Sequence, residues 1–410
     1  MLEFEPKLRH LAFFEELASL DESDPAWNAA TAGLVVLRLV DAWLENGPNT
    51  SLDDDWPIRS VRTAIDEVHV GATLRALLGR VVDALEERKP DIHVVVTPLM
   101  AYGQALEYDA KWTLAADVYT TVLAHLHPIE DSDASIAAHL RLGSCYRNLQ
   151  LIDQASKTYA CVAEIAGAVG DMVGILRGRI GEAQIAWLRG NLPQAGAILD
   201  DTIAKAASDD MKDVRSRALH DRSSVANITG QYELGVRLAY EALGCCQNPT
   251  ERDRILTNIA NSFVYLGVLS AARDAYLVLS ATAQEQYTRW VATLNLLDVA
   301  AQSGAETLFE QYRRQLRNEQ LPPFFATAFE LTLGTGYRRF GDLAKARPHL
   351  QRAVAMAGEH GLNQFLFEAE EALYQLETHT PPRSVQRDMP HDIEEVARAM
   401  RDLRESAGVT

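Results

Sequence analysis

The stretch Leu142-Gly143-Ser144-Cys145-Tyr146-Arg147-Asn148-Leu149-Gln150-Leu151-Ile152-Asp153-Gln154-Ala155-Ser156-Lys157-Thr158-Tyr159 decides the fold. Each half carries apolar or small residues at helical spacing, and a polar break falls between the halves, so it predicts two short helices back to back. Shifted copies recur down the chain. Taking Ala155 as the anchor that opens the second helix, the equivalents are Ala115, Ala155, Ala195, Gly235, Ala272, Phe309 and Ala346, in three steps of 40 residues and then three of 37. Five residues before each anchor lies a turn slot: Ala110, Gln150, Gly190, Gly230, Gly267, Gly304 and Gly341. Five of the seven are glycine, as expected where a helix ends in a left-handed residue. Twelve residues before each anchor lies a small slot on the first helix: Gly103, Gly143, Ala183, Ser223, Ala260, Leu297 and Gly334. Small residues there let the two helices of a hairpin approach closely.

The pattern resembles the tetratricopeptide repeat, whose signature is Leu-Gly-x-x-Tyr on the first helix and a small residue followed by an aromatic one on the second. Leu142, Gly143 and Tyr146 match it, as do Leu333, Gly334 and Tyr337; Ala155 with Tyr159 and Ala272 with Tyr276 match the second part. The period exceeds the usual value of about 34, so the array is most similar to the longer variety found in bacterial regulators and kinesin light chains. The resemblance covers roughly residues 91–377 and implies an all-α, right-handed α-solenoid of stacked helix-turn-helix hairpins. It implies little about function, because such arrays serve as scaffolds in many settings. The sixth copy departs most, with Leu297 and Phe309 in small slots. Looser packing or a changed angle is expected there.

Length and charge fit this reading. A chain of 410 residues would ordinarily divide into two or three domains, but in a repeat array each unit buries its face on its neighbours. The net charge of −18 disfavours general binding to nucleic acid or to an anionic membrane. The first residues, Met1-Leu2-Glu3-Phe4-Glu5-Pro6-Lys7, lack the basic start and apolar run of a secretory peptide. The greasiest piece, Leu34 to Val40, is too short to span a bilayer and is broken by Arg38. Cys145, Cys161, Cys245 and Cys246 have no metal-ligand spacing and read as small apolar residues in a reducing cytoplasm, the alternative being a redox switch at the vicinal pair.

In chain order, residues 1–90 read as a helical region. Leu8, Leu11, Phe14, Leu17 and Leu20 lie at helical spacing; Asp24 and Pro25 open a second helix that runs to about Glu45, stopped by Asn46-Gly47-Pro48. Asn49 to Asp55 reads as a solvated acidic loop without calcium-site spacing. Two further helices span Pro57 to Arg88, with Ala64, Gly71 and Ala76 at the offsets of a divergent repeat. Seven repeats follow over residues 91–358, then a capping helix over 359–377. A proline-bearing linker with Pro381 and Pro382 leads, within 378–410, to a last charged helix that is either a tail or a clip onto the array.

Function is to be sought on one face of the first helices. Relative to the small slot, positions −6, −3, +1 and +4 form one stripe, while the slot itself and +3 lie on the face that packs within the hairpin. The stripe is therefore assigned to the concave groove, where the family holds its ligands. At +1 every residue is polar: Gln104, Ser144, Gln184, Ser224, Asn261, Asp298 and Thr335. Position −6 holds Arg177, Arg217 and Arg254 in three consecutive repeats, and position +4 holds Arg147, Trp187 and Asn227. Amides and hydroxyls in a row can bond the main chain of an extended peptide whatever its sequence. Arginines beside them can hold acidic side chains or a terminal carboxylate. The bland account is that a groove wall carries polar residues because water wets it. The two-lysine, two-asparagine clamp by which some relatives hold a chaperone's carboxyl terminus is absent, since no stripe position is lysine.

No catalytic or metal motif emerges. Gly334-Thr335-Gly336 lacks the Gly-Lys-Ser/Thr of a phosphate loop, and His125 and His127 are two apart on a helix end, so they point to different sides. No cofactor or metal is expected, and no enzyme activity. Two readings stand: a scaffold or adaptor whose groove holds a peptide segment of a partner protein, with an acidic segment favoured by the arginines; and a peptide-responsive bacterial regulator acting on a partner protein through its amino-terminal helices. A weaker third is nucleic-acid contact by Arg313, Arg314, Arg317, Arg338, Arg339, Lys345, Arg347 and Arg352, which a solvated helix face also explains.

Overall fold

The computed structural model describes residues 9–46, 56–69, 71–86, 91–378 and 390–409. Among them are twenty α-helices and no strand. Four helices come first: α1 (Leu11–Ser19), α2 (Pro25–Asn46), α3 (Trp56–Asp66) and α4 (Ala72–Glu86). The repeat region begins with α5 (Ile92–Tyr108) and α6 (Trp112–Ala124), α7 (Ser132–Asn148) and α8 (Ile152–Val169), α9 (Met172–Leu188) and α10 (Leu192–Lys205). It continues with α11 (Lys212–Ile228) and α12 (Tyr232–Cys245), α13 (Pro249–Leu266) and α14 (Leu269–Thr282), α15 (Gln286–Gln302) and α16 (Glu306–Arg317), α17 (Pro323–Arg339) and α18 (Leu343–Glu359). Two single helices follow, α19 (Asn363–Glu377) and α20 (His391–Ser406). Successive helices pack on one another, which makes this an all-α solenoid of hairpins. The chain divides into two compact units, Met1–Ile198 and Leu199–Thr410. The Gly47-Pro48 stop, the acidic loop at 49–55 and most of the expected linker, 379–389, lie outside the described residues.

Every predicted turn slot is left-handed. Gly190, Gly230, Gly267, Gly304 and Gly341 have φ of 78°, 76°, 79°, 69° and 80°, and the two exceptions to glycine obey the same geometry, Ala110 at 57° and Gln150 at 60°. In each turn the chain reverses because the residue after the slot returns its N–H to a carbonyl of the first helix, as Lys111 does to Leu106 and Leu151 to Tyr146, both at 2.8 Å. Gly71, between α3 and α4, takes the same conformation at 77°.

The small slots are close approaches. In the first unit a Cβ on Gly103 would come within 2.6 Å of the Tyr119 ring, and one on Gly143 within 2.7 Å of Tyr159. Gly181 of α9 presses on the other side of that same Tyr159 ring, so one buried aromatic is held between two helices that offer it bare backbone. In the second unit a Cβ on Gly334 would meet Leu350 at 2.5 Å. The sixth hairpin departs as expected: α16 packs on α17 far less than the other second helices of this unit pack on their successors, and α15 meets α17 directly, although Leu297 and Phe309 are both wholly buried. The ring of Phe309 finds its space against the backbone of Gly336 in the next hairpin and lies edge-on to Tyr337 and Phe340, with centroids 5.3 and 5.2 Å apart.

Asp24 caps α2 through its carboxylate, which accepts from Ala26 N–H at 2.8 Å. Within the first unit α1 is tied down by a polar knot. His10, left-handed at φ 59° and with a buried side chain, places Nδ1 3.1 Å from Asp117 and Nε2 3.4 Å from Asp41. Asp41 also meets His125 at 2.9 Å and Arg9 at 3.0 Å. Burial by itself would lower the His10 pKa, but the two carboxylates outweigh it and raise the value to about 9. Bonds from His10, His125 and Arg9 in turn hold Asp41 well below the usual carboxylate range against the opposing effect of its own burial.

In the second unit α20 folds back as a clip. Ile393, Val396 and Met400 are buried, and the helix packs mainly on α14 and α12. Arg237 pairs with Asp392, and Arg404 with the buried Asp274 at 3.3 Å. Both are second helices of hairpins, so the tail does not lie along the first-helix stripe.

Two outcomes follow for stability. Replacing Ala110 or Gln150 by glycine relieves a left-handed L-residue and is expected to raise unfolding free energy by about 1 kcal/mol each, read from urea melts. For His10, a raised folded-state pKa means its stabilising effect is complete below the unfolded value near 6.5 and disappears as pH rises through about 9. The stability gap between wild type and His10→Gln should therefore be widest below about pH 6.5 and shrink steadily to pH 9.5; a gap constant over that range would contradict the ion-paired assignment.

Candidate functional site

The stripe assigned from sequence has the exposure a groove wall needs. At −6, Arg177, Arg217 and Arg254 are exposed, while +1 and +4 are mostly half-buried and the slot with its +3 neighbour is mostly buried. The register therefore places the stripe away from the hairpin interior.

In the first unit Gln104 is exposed, whereas Ser144, Arg147, Gln184 and Trp187 are half-buried. Arg147 donates to Ser144 Oγ at 3.3 Å within α7. At the same +4 position Glu107 accepts from the Tyr119 hydroxyl, which ties the two helices of that hairpin together.

The second unit holds the denser arrangement. Glu251, in the first turn of α13, is placed by Asn248, whose side chain accepts from Glu251 N–H at 3.1 Å. Its carboxylate meets His220 Nδ1 at 2.7 Å and Arg254 at 3.8 Å, with Arg217 also contributing its charge. Burial would raise the Glu251 pKa; the His220 bond and the surrounding positive charges pull it down to about 2 instead. Arg254 thus pairs with a fixed carboxylate to which Arg217, exposed on the preceding first helix, adds its charge. The sequence reading named both arginines and missed Glu251 and His220.

Beside this cluster runs a polar ladder between α11 and α13. Asn258 Nδ2 donates to Ser224 Oγ at 2.7 Å and to Ser223 Oγ at 3.2 Å, and Ser262 Oγ donates to Asn227 Oδ1 at 2.9 Å. Gly235 of α12 makes room for this pair, since a Cβ there would run into the Asn227 amide. Asn261 accepts from the Tyr276 hydroxyl. Ser224, Asn227 and Asn261 were expected to offer their side chains to a ligand; in the structure these groups bond first to neighbouring helices, because polar atoms at a half-buried contact must find partners. The signal for this was present at Asn258 and Ser262, which repeat the polar character one helix on, but their pairing spans 34 and 35 residues.

The basic cluster considered for nucleic acid resolves into local pairs. Arg313 meets Glu310 at 2.7 Å, Lys345 meets Asp342 at 2.8 Å, Arg347 meets Glu377 at 3.2 Å and Arg352 meets Glu330 at 2.9 Å. Arg338 donates to Gln375 at 2.6 Å. His125 and His127 go separate ways, the first to Asp41 and the second to the turn before α7, where it accepts from Glu130 N–H at 3.4 Å. Among the described residues no group of three or more His, Cys, Asp or Glu is placed to hold a metal ion, and no helix is long and apolar enough to cross a membrane. All four cysteines are free, and burial pushes the Cys145 thiol up to about 12.

No protein-family model matches this chain. No curated protein matches it either. Among solved structures it is similar to the Rap conjugation gene regulator of the plasmid pLS20, solved in complex with the Phr* peptide, at 13% identity and a TM-score of 0.47, over 87% of this chain and 99% of that one. It is also similar to BtubC (BKLC) from P. vanneervenii, at 11% identity and a TM-score of 0.37, over 77% of this chain and 95% of that one. Likenesses at this level carry no argument about what this chain binds.

The two classes of stripe residue separate by their effect on stability. Asn258→Ala leaves two serine hydroxyls without their donor and is expected to cost about 1–3 kcal/mol. Arg254→Ala removes an exposed side chain and should change stability by no more than about 0.5 kcal/mol in the same urea titration.

Proposed function

We propose that the chain is a tetratricopeptide-type array that acts as a protein-protein interaction scaffold, holding a peptide segment of a partner along the first-helix stripe. The observation that carries this is the cluster of Arg217, Arg254, His220 and Glu251, in which His220 and Arg254 meet a fixed carboxylate and the exposed Arg217 adds its charge, in a chain of net charge −18. Selection for solubility alone does not place a cationic spot on an acidic protein, whereas recognition of an acidic side chain or a terminal carboxylate does. The ladder of Asn258, Ser224 and Ser262 stiffens the wall beside it, and preordered donors lose less freedom when a ligand arrives.

On this reading Arg217 and Arg254 of the second unit select acidic residues; in the first unit Arg177 offers the same charge, and Gln104, Gln184 and Trp187 contact a peptide without regard to charge. The protein is a binding protein rather than an enzyme, needs no cofactor, and works in a reducing compartment such as the cytoplasm, where its four thiols stay free. A regulator acting through residues 1–90 would require those helices to shift when the stripe fills. Small-angle scattering with and without a bound peptide separates the two, an unchanged profile supporting the scaffold.

The test is a titration of acidic and neutral peptides of equal length against wild type and the Arg177→Ala/Arg217→Ala/Arg254→Ala triple variant. The variant should lose at least tenfold in affinity for the acidic peptide and little for the neutral one. Raising salt toward 1 M should reproduce that loss in the wild type, where the Debye length falls to about 3 Å. Equal affinities for both peptides in wild type and variant alike would defeat the assignment.

A further inference from the structure

The last first-helix of the array has no second helix of its own among the described residues. Counting on by 37 from Gly334 places Glu371 in the small slot of α19, Tyr374 at +3 and Phe367 at −4. In the seven earlier hairpins that face is covered by the second helix, and its slot is never charged. Here α20 packs instead on α14 and α12, and the face stands open: Phe367 is 70% exposed and Tyr374 63%. The opposite face of α19 is conventional, with Ala369, Ala372 and Leu376 buried against the body of the unit.

A polar outer face on a terminal helix keeps an array soluble, and the glutamates of α19 fit that role. Two aromatic rings seven residues apart on the same side do not, because each leaves a large apolar surface in water. The charge that α19 itself carries is of one sign. Helix α19 carries Glu368, Glu370, Glu371 and Glu377 and no lysine or arginine. Gln375 donates to Glu371 at 2.6 Å and Gln364 to Glu368 at 2.9 Å; Arg347 pairs with Glu377 and Arg338 lends its charge to Glu371, so the four carboxylates of α19 still outnumber the two guanidinium groups beside them.

We propose that the open face of α19 is a docking surface for a basic amphipathic helix of a partner protein, which lies across Phe367 and Tyr374 as the missing second helix of an eighth hairpin. Its apolar row covers the two rings, and its flanking lysines or arginines meet Glu370 and Glu371. A second copy of this chain is the poorer occupant, since two such faces would bring glutamates against glutamates. This surface is independent of the arginine stripe, which takes ligands of the opposite charge.

The experiment uses the full chain and two synthetic helices of about 18 residues, long enough to span α19 at about 1.5 Å per residue. Both carry leucines at i, i+3, i+4 and i+7; one has lysines flanking that row, the other glutamates. Binding is followed by calorimetry. The lysine peptide should bind, the Phe367→Ala/Tyr374→Ala variant should bind it at least tenfold more weakly with an unchanged melting temperature, and Glu370→Lys/Glu371→Lys should reverse the preference toward the glutamate peptide. Any of three results overturns the proposal: lysine-peptide affinity unchanged in the Phe367→Ala/Tyr374→Ala variant, no preference reversal in the charge-swapped one, or no binding to the intact chain. Concentration-dependent self-association that Phe367→Ala/Tyr374→Ala abolishes would overturn it in favour of a second copy.

Discussion

Close approach of two helix backbones within each hairpin is the constraint on which the rest of this structure depends. Where the first helix offers glycine or alanine, the partner helix sets a ring or a branched side chain directly on the backbone, as Tyr119 does on Gly103 and Leu350 on Gly334. Such contacts are dense, and dense contacts admit no extra methyl group without displacement. Tyr159 shows how the constraint passes from one hairpin to the next, because Gly143 and Gly181 belong to different hairpins and grip the same ring. The sixth hairpin meets the same constraint with opposite means. There the large residue sits in the anchor slot, and the glycine that accommodates it is Gly336, one hairpin further on.

Once the hairpin faces are committed to packing, the remaining face of each first helix is left for other uses. It is neither fully buried nor fully wet, and polar side chains there need partners. In the second unit they find them across the gap between α11 and α13, through Asn258, Ser224, Ser262 and Asn227. This network restrains the wall that carries Arg217 and Arg254. The Glu251 carboxylate does the same for the arginines electrostatically, drawing both toward one point while His220 holds it in place. Exposed charge and rigidity thus come from neighbouring positions on the same helices, and sorting one from the other takes distances as well as register.

The ends of the chain follow a different logic. At the amino-terminal side a buried His10, charged because Asp41 and Asp117 surround it, fastens α1 to α2 and α6. At the carboxyl-terminal side α20 clamps α12 and α14 through a hydrophobic strip bracketed by two ion pairs. One consequence is the exposed aromatic face of α19.

The sequence by itself determined the helical hairpins, their number in the repeat region, the positions of the left-handed turns down to Ala110 and Gln150, and the stripe on which exposed arginines lie. All of these are local: a repeat every 37 to 40 residues leaves its mark in spacing, because each copy must satisfy the same turn and the same close approach. The tertiary structure alone decided that Glu251 stands between the arginines, that Ser224, Asn227 and Asn261 are bonded to other helices, that His10 reaches Asp117, and that α20 docks on Arg237. These pairings join residues 31, 107 and 155 positions apart at His220–Glu251, His10–Asp117 and Arg237–Asp392. No periodicity encodes them, since each occurs once and depends on where the folded helices bring two side chains together.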